Sequence, residues 1–133
     1  PAEPAPPPPP PEKAESCPGH IPFEGHGHGR TSIVPTGWKR PGSGSQVEAH
    51  SDGDGAVVPH MGGRAYFAEN CTAGTYNRSQ YLGLNLLGKT LKYSVDLAGA
   101  GCGCNAQLRL VPLKRNTHAS ECQDYHCSAA GAC

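Results

Sequence analysis

The sequence lacks a net charge, a long hydrophobic run and any clear helix-forming window. Its 11 basic and 11 acidic side chains cancel, so no long-range field would attract phosphate backbones or anionic lipid. No run approaches the roughly 20 apolar residues of a transmembrane helix. Glycine (18 residues) and proline (14) interrupt nearly every window that could form a helix. We therefore expect a soluble, non-helical chain that binds neither nucleic acid nor membranes.

The sequence also lacks the motifs of common catalytic and cofactor sites. It contains no nucleophile elbow, zinc-protease helix or phosphate-binding loop. Residues 51–55 resemble the start of a calcium loop, but no third carboxylate follows before Glu69. The Asp-Gly pairs there favour a hairpin turn instead. We predict no catalytic residues and no cofactor.

Hydrophobic burial alone would leave this chain marginally stable. It has 133 residues, enough for one domain, and only 36% of them are hydrophobic. Its cysteines are candidates for stabilising disulfides in an oxidising compartment. Cys102 and Cys104 should each reach a different partner, since one intervening residue would strain a mutual bridge. The seven cysteines are Cys17, Cys71, Cys102, Cys104, Cys122, Cys127 and Cys133. Their connectivity is open. Because the number is odd, one is left over as a free thiol, in an intermolecular bond or as the partner of a cysteine beyond the chain.

Two acceptor sequons for N-linked glycans strengthen the prediction of secretion. They begin at Asn70 and Asn77, seven residues apart. The chain opens at Pro1 with no Met and no apolar signal segment, which favours a mature product whose targeting peptide has been removed. We expect an extracellular protein of the cell surface or matrix that carries covalent glycans.

The first 16 residues form a proline-rich arm that we treat as separate from the domain of residues 17–133. Its first eleven positions would extend about 34 Å as a polyproline II helix, too far for a small domain to cover. Such strands dock readily on aromatic grooves or sheet edges because little ordering entropy is lost. We expect the arm to bind a neighbouring copy. Its run also resembles hydroxyproline-rich cell-wall glycoproteins, which would make O-linked sites of Pro6, Pro7, Pro8, Pro9, Pro10 and Pro11.

Alternating apolar residues predict strands in the rest of the chain. The clearest alternation is in residues 91–97, and a second run, 106–110, follows a glycine-rich connection. We predict that these two runs form a strand pair around which the domain packs. Shorter strands are indicated at residues 31–34, at 64–67 and on both sides of the turn at 51–55. The polar tail, residues 114–133, is expected to be a disulfide-linked loop.

Two further features could form binding sites. His20, His26 and His28 follow Cys17 closely and have the residue types of metal ligands, but no second pair completes a four-ligand site. We expect exposed loop histidines, with a metal site as the weaker alternative. Trp38, the single tryptophan, could stack on a sugar, anchor a subunit interface or fill ordinary packing space.

Residues 62–106 resemble the early part of glycoside hydrolase family 7, the retaining cellulases. In that family a Gly-x-Arg-x-Tyr strand is followed by a Leu-Leu-Gly turn, an alternating strand and a Cys-Gly-x-Asn loop. The corresponding residues here are 62–66, 86–88, 93–97 and 102–106. The resemblance implies a β-sandwich of curved antiparallel sheets. We therefore expect an all-β chain, a small disulfide-stapled antiparallel β-sandwich with an extended polyproline II arm.

The catalytic strand of that family, Glu-x-Asp-x-x-Glu, has no counterpart here. After Asn105 the carboxylates are Glu121 and Asp124 alone, whereas retaining hydrolysis needs two carboxyls about 5.5 Å apart. We therefore expect a non-enzymatic protein.

Three functions are compatible with these features, and a self-associating structural glycoprotein ranks first. Its proline-rich arm would join copies head to tail into a filament. The alternative is a non-catalytic module or fragment, derived from a cellulase-like hydrolase, that binds polysaccharide. An enzyme with a divergent site ranks last.

Overall fold

The computed structural model describes residues 2, 4–6, 16–38 and 47–119, which contain two antiparallel sheets and no α-helix. Strands β1 (Gly19–Pro22), β2 (Arg30–Pro35) and β5 (Ala65–Ala68) form one sheet in the order β1-β2-β5. Strands β3 (Val47–His50) and β4 (Ala56–Pro59) form the other. Short 3-10 helices span Arg78–Gln80 and Leu113–Arg115. The prediction of a small, disulfide-linked all-β fold is confirmed.

The central strand β2 supplies half of the buried residues among those described. Its β-branched residues Thr31, Ile33 and Val34 are buried, as is Pro35 at its end. Ile33 lies opposite Gly19 of β1 and Phe67 of β5. The Thr31 hydroxyl donates to the Ala68 carbonyl oxygen at 3.0 Å, so its polar group is paired inside the core.

The β3–β4 hairpin turns where the Asp-Gly pairs predict a turn. The Gly55 amide donates to the Asp52 carbonyl at 3.0 Å. Gly55 has a positive φ of 74°, and a Cβ there would collide with the Pro22 ring of β1. Glycine is therefore required both by the backbone conformation and by the close approach of the two hairpins.

A tyrosine-rich cluster forms the core beside β5. Val34, Tyr66, Ala68 and Tyr81 are buried together, with the rings of Tyr66 and Tyr81 5.3 Å apart. Ala68 and Tyr81 also form an isolated β-bridge. Several half-buried side chains pack against this cluster: Trp38, Cys71, Tyr76 and Leu113.

The predicted strand pair at residues 91–97 and 106–110 is wrong, because neither run forms a strand. The connection makes two separate local turns, with Ala100 N donating to Leu97 O and Cys104 N to Gly101 O. An isolated two-stranded hairpin is marginally stable in water, and every residue from 92 to 112 is exposed. Neither run is therefore covered by the core, which is built on β2 and β5.

The shorter predicted strands are confirmed. The run at 31–34 lies in β2, the run at 64–67 overlaps β5, and β3 and β4 flank the turn at 51–55. Strand β1 was not predicted, because its Gly-His-Ile-Pro sequence resembles a loop. The segment is a strand because its backbone pairs with β2, although its own residues do not favour a strand.

Candidate functional site

A disulfide links the segments beside the two edge strands of the three-stranded sheet, β1 and β5. Cys17 precedes β1 and Cys71 follows β5, and their Cα atoms lie 6.1 Å apart. The bond links positions 54 residues apart in the sequence, which encloses all five strands in one covalent loop. The prediction of disulfide bonding is confirmed for this pair.

Cys102 and Cys104, which were each predicted to reach a different partner, form no disulfide within the described residues. Both are exposed free thiols in the structure, in the region of the two local turns. The cysteines that could partner them, Cys122, Cys127 and Cys133, lie outside the described residues. Their pairing stays a prediction, as does the disulfide-linked loop of the tail.

The two sequons lie on the surface in different local structures. Asn77 caps the 3-10 helix Arg78–Gln80, and its side-chain oxygen accepts from the Ser79 amide at 3.0 Å and the Ser79 hydroxyl at 2.7 Å. Asn70 is also exposed, but the middle residue of its sequon is Cys71, held in the disulfide. Both side chains are accessible for glycan attachment.

The three histidines near Cys17 do not form a cluster. His20 is exposed on β1, while His26 and His28 lie in the β1–β2 loop. The ring of His26 packs edge-on against Phe23 at 6.1 Å. Within the described ranges, no three His, Cys, Asp or Glu side chains are grouped to hold a metal ion.

His50 and His60 flank Glu48 on the small sheet, a grouping that the spacing of these residues in the sequence did not indicate. The Oε2 atom of Glu48 lies 3.1 Å from His60 Nε2 and 3.9 Å from His50 Nε2. The Glu48–His60 contact crosses from β3 to the residue after β4, so only the hairpin register reveals it. All three side chains are about half exposed, and such contacts contribute little to stability.

Trp38 packs inward rather than projecting as a platform. It lies against the tyrosine-rich cluster, 6.4 Å from the Tyr76 ring. Its backbone amide donates to the Tyr76 hydroxyl at 3.4 Å. Its indole Nε1 is buried and has no hydrogen-bond partner among the described residues; positions 39–46, which follow it closely, lie outside them.

Most of the exposed large apolar side chains among the described residues follow the core in sequence. We call residues 90–112 the unpaired segment, because none of them forms a β-ladder. Tyr93, Val95 and Leu97 are 59%, 62% and 60% exposed. Leu108, Leu110 and Val111 are also exposed. Large apolar side chains concentrated in this way mark interaction surfaces.

The described part of the proline-rich arm is also exposed. Ala2 and residues 4–6 are all exposed. Residues 7–11, with five of the six prolines of the candidate hydroxyproline run, lie outside the described residues. The arm's binding partner and its modification stay predictions.

Comparison with protein-family models, curated proteins and solved structures finds no match to this chain. The resemblance to glycoside hydrolase family 7 therefore stays a prediction. Glu121 and Asp124, the carboxylates considered for catalysis, lie outside the described residues. In the described ranges, no helix has the length and apolar character needed to cross a membrane.

Proposed function

We propose that this chain is a secreted structural glycoprotein subunit, without enzymatic activity, that associates with copies of itself. The observation that carries the proposal is the unpaired segment, where every residue from 92 to 112 is exposed despite its apolar alternation. An alternating strand is stable when one face is covered and its backbone is paired. The described part of the chain supplies neither, so association would supply both.

Two features of the core support an extracellular location. The Cys17–Cys71 disulfide needs an oxidising compartment to form and persist. The sequons at Asn70 and Asn77 are exposed, as glycan attachment requires. Asn77 and Ser79 are already hydrogen-bonded to each other. Mass spectrometry before and after deglycosylation tests both asparagines and reveals hydroxylation of Pro6 to Pro11.

In this proposal the proline-rich arm joins copies head to tail. The exposure of Ala2 and residues 4–6 supports this, because their surface is accessible to a second copy. A repeated head-to-tail contact produces an open filament unless its rotation closes a ring. The arm and the unpaired segment lie on opposite sides of the disulfide-closed loop in sequence, so one copy could use both at once.

The test compares the full chain with a variant in which residues 6–11 are replaced by alternating glycine and serine. Electron microscopy and sedimentation velocity are expected to show filaments or higher oligomers for the natural chain. The variant keeps the chain length but loses the preformed polyproline conformation, and we expect shorter assemblies. A natural chain that stays monomeric at all concentrations would contradict the proposal.

The packing of Trp38 argues against the polysaccharide-binding alternative. A stacking platform presents its ring face to solvent, whereas the Trp38 ring contacts the tyrosine-rich cluster. Retention of the dispersed chain on cellulose, lost on Trp38→Ala but not on Tyr93→Ala, would favour the alternative over self-association.

A further inference from the structure

We infer that residues 91–97 pair antiparallel with the same residues of a second copy, about a two-fold axis through Ser94. The inference rests on the proposed self-association and names a contact surface for it. The strand has a self-complementary sequence, Leu-Lys-Tyr-Ser-Val-Asp-Leu. The partner is therefore another copy of this chain, which presents an identical edge.

Among the described residues, almost no backbone group pairs with residues 91–97. The one backbone–backbone hydrogen bond made by residues 91–97 within the described ranges is at the end, where Leu97 O accepts from Ala100 N. Residues 92–97 are all exposed. Unpaired amides and carbonyls of this kind are a template for strand addition.

The hydrophobic alternation restricts the register of self-pairing. Odd-numbered residues must face odd-numbered residues, and even-numbered must face even-numbered, since a one-residue slip would place apolar side chains opposite polar ones. Pairing about Ser94 sets Leu91 opposite Leu97 and Tyr93 opposite Val95. Aromatic and β-branched residues form favourable cross-strand pairs. A shift of the axis to Tyr93 or Val95 would leave one of the leucines without an apolar residue opposite it.

The charges on the other face select the same register. Pairing about Ser94 places Lys92 of each copy opposite Asp96 of the other, so two opposite-charge pairs form by symmetry. Both side chains are exposed in the single chain. Asp96 Oδ1 also accepts from the Ala98 amide at 2.9 Å, which holds this carboxylate beside its strand. The apolar and the charged face thus agree on one axis.

The first test uses charge reversal in the full chain, with association measured by sedimentation equilibrium. Lys92→Asp places Asp opposite Asp96 twice per dimer, and Asp96→Lys places Lys opposite Lys92 twice. We expect each to weaken dimerisation about tenfold or more. The double variant Lys92→Asp/Asp96→Lys restores both opposite-charge pairs and should restore the dimer.

Lys89→Asp is the matched control, because it makes the same charge change at an exposed site outside the paired residues. It should leave the dimerisation constant close to that of the natural chain. Single reversals that leave the constant unchanged, or a double variant that fails to recover, would overturn the register. Circular dichroism checks that each variant keeps its sheets. We expect no change, because the substituted residues are exposed and lie outside the strands.

The second test locates the axis. Ser94→Cys, in a background in which Cys102, Cys104, Cys122, Cys127 and Cys133 are all replaced by Ser, should form an intermolecular disulfide under mild oxidation, because residue 94 meets itself at the two-fold axis. Ser51→Cys in the same background is the control, being exposed in the β3–β4 turn, and should remain uncrosslinked. Equal crosslinking at the two positions would overturn the proposed axis.

The arm variant separates this inference from the proposed function. Association that disappears on replacing residues 6–11 but survives Lys92→Asp would refute the strand pairing and leave the structural function standing. A discrete dimer that is lost with Lys92→Asp, with no larger assembly under any condition, would support the pairing and refute the filament. Concentration-independent exchange protection of residues 91–97, shared with 106–110, would instead indicate an intrachain hairpin and overturn the inference.

Discussion

Thr31 shows how a single polar atom is accommodated in this small core. The residue is fully buried, and its hydroxyl donates to the Ala68 carbonyl on the neighbouring strand β5. The side chain thus adds a cross-strand bond to the backbone ladder between β2 and β5. The bond lies where the sheet meets the tyrosine-rich cluster.

Thr31→Val should lower the free energy of unfolding by about 1–2 kcal/mol, because the near-isosteric side chain leaves the Ala68 carbonyl without this donor. Urea denaturation measures the loss. Ser32→Ala is the control on the same strand, since it removes a more exposed bond from Ser32 Oγ to the Glu69 carbonyl at 3.3 Å. Equal losses for the two variants would show that burial does not set the cost.

Substitutions at Gly53 and Gly55 distinguish the cost of backbone strain from the cost of steric contact. Both have positive φ, but a Cβ at Gly53 meets open space, whereas one at Gly55 meets the Pro22 ring and Ile21. Gly53→Ala should cost about 1 kcal/mol from backbone strain alone. Gly55→Ala should cost about 2–4 kcal/mol because overpacking is added to that strain. Thermal unfolding of the two variants side by side measures the difference, and equal costs would contradict the close approach of the hairpins.

At the scale of elements, the sequence predicted strands well where turn residues bound them. Asp52 to Gly55 identified the β3–β4 hairpin, and the branched residues of β2 identified that strand. The alternation at residues 91–97 was as clear, yet no strand forms there. Alternation shows which face of a strand needs cover but not which segment supplies it. The sequence therefore shows the alternating residues of the candidate surface, but only the structure shows that they are exposed.

The Cys17–Cys71 disulfide should stabilise the strand-bearing loop more than any single side chain. Closing a loop between residues 54 apart lowers the conformational entropy of the unfolded chain and so raises its free energy by about 4 kcal/mol. We expect Cys17→Ser/Cys71→Ser to lower the free energy of unfolding by about that amount in chemical denaturation. Cys102→Ser/Cys104→Ser, which changes exposed free thiols, should cost less than about 0.5 kcal/mol. A larger loss for the second pair would mean that those thiols take part in the fold.

At the scale of the whole molecule, the chain consists of a closed loop with an extension on each side. All five strands of the described residues lie inside the loop, and both surfaces proposed for association lie outside it. Association and folding are therefore separable by mutation: changes in the arm or at residues 91–97 should alter assembly without altering the stability of the sheets. Hydrogen exchange of β2 amides in Lys92→Asp checks this, and faster exchange there would contradict it.

The position of the disulfide also decides what happens under tension. A pull between the arm and residues 91–97 enters the loop at Cys17 and leaves at Cys71, so between those two residues the load crosses the disulfide instead of passing along the strands. Beyond Cys71 the pull first detaches Tyr81 from its bridge to Ala68. Single-molecule stretching between those points should show no unfolding of the strands until a reductant is added. Reduction should then release about 190 Å of hidden contour length, at roughly 3.5 Å for each of the 54 residues. In a filament built as proposed, the strands would carry no load, and the non-covalent contacts between copies would break before the intrachain disulfide does.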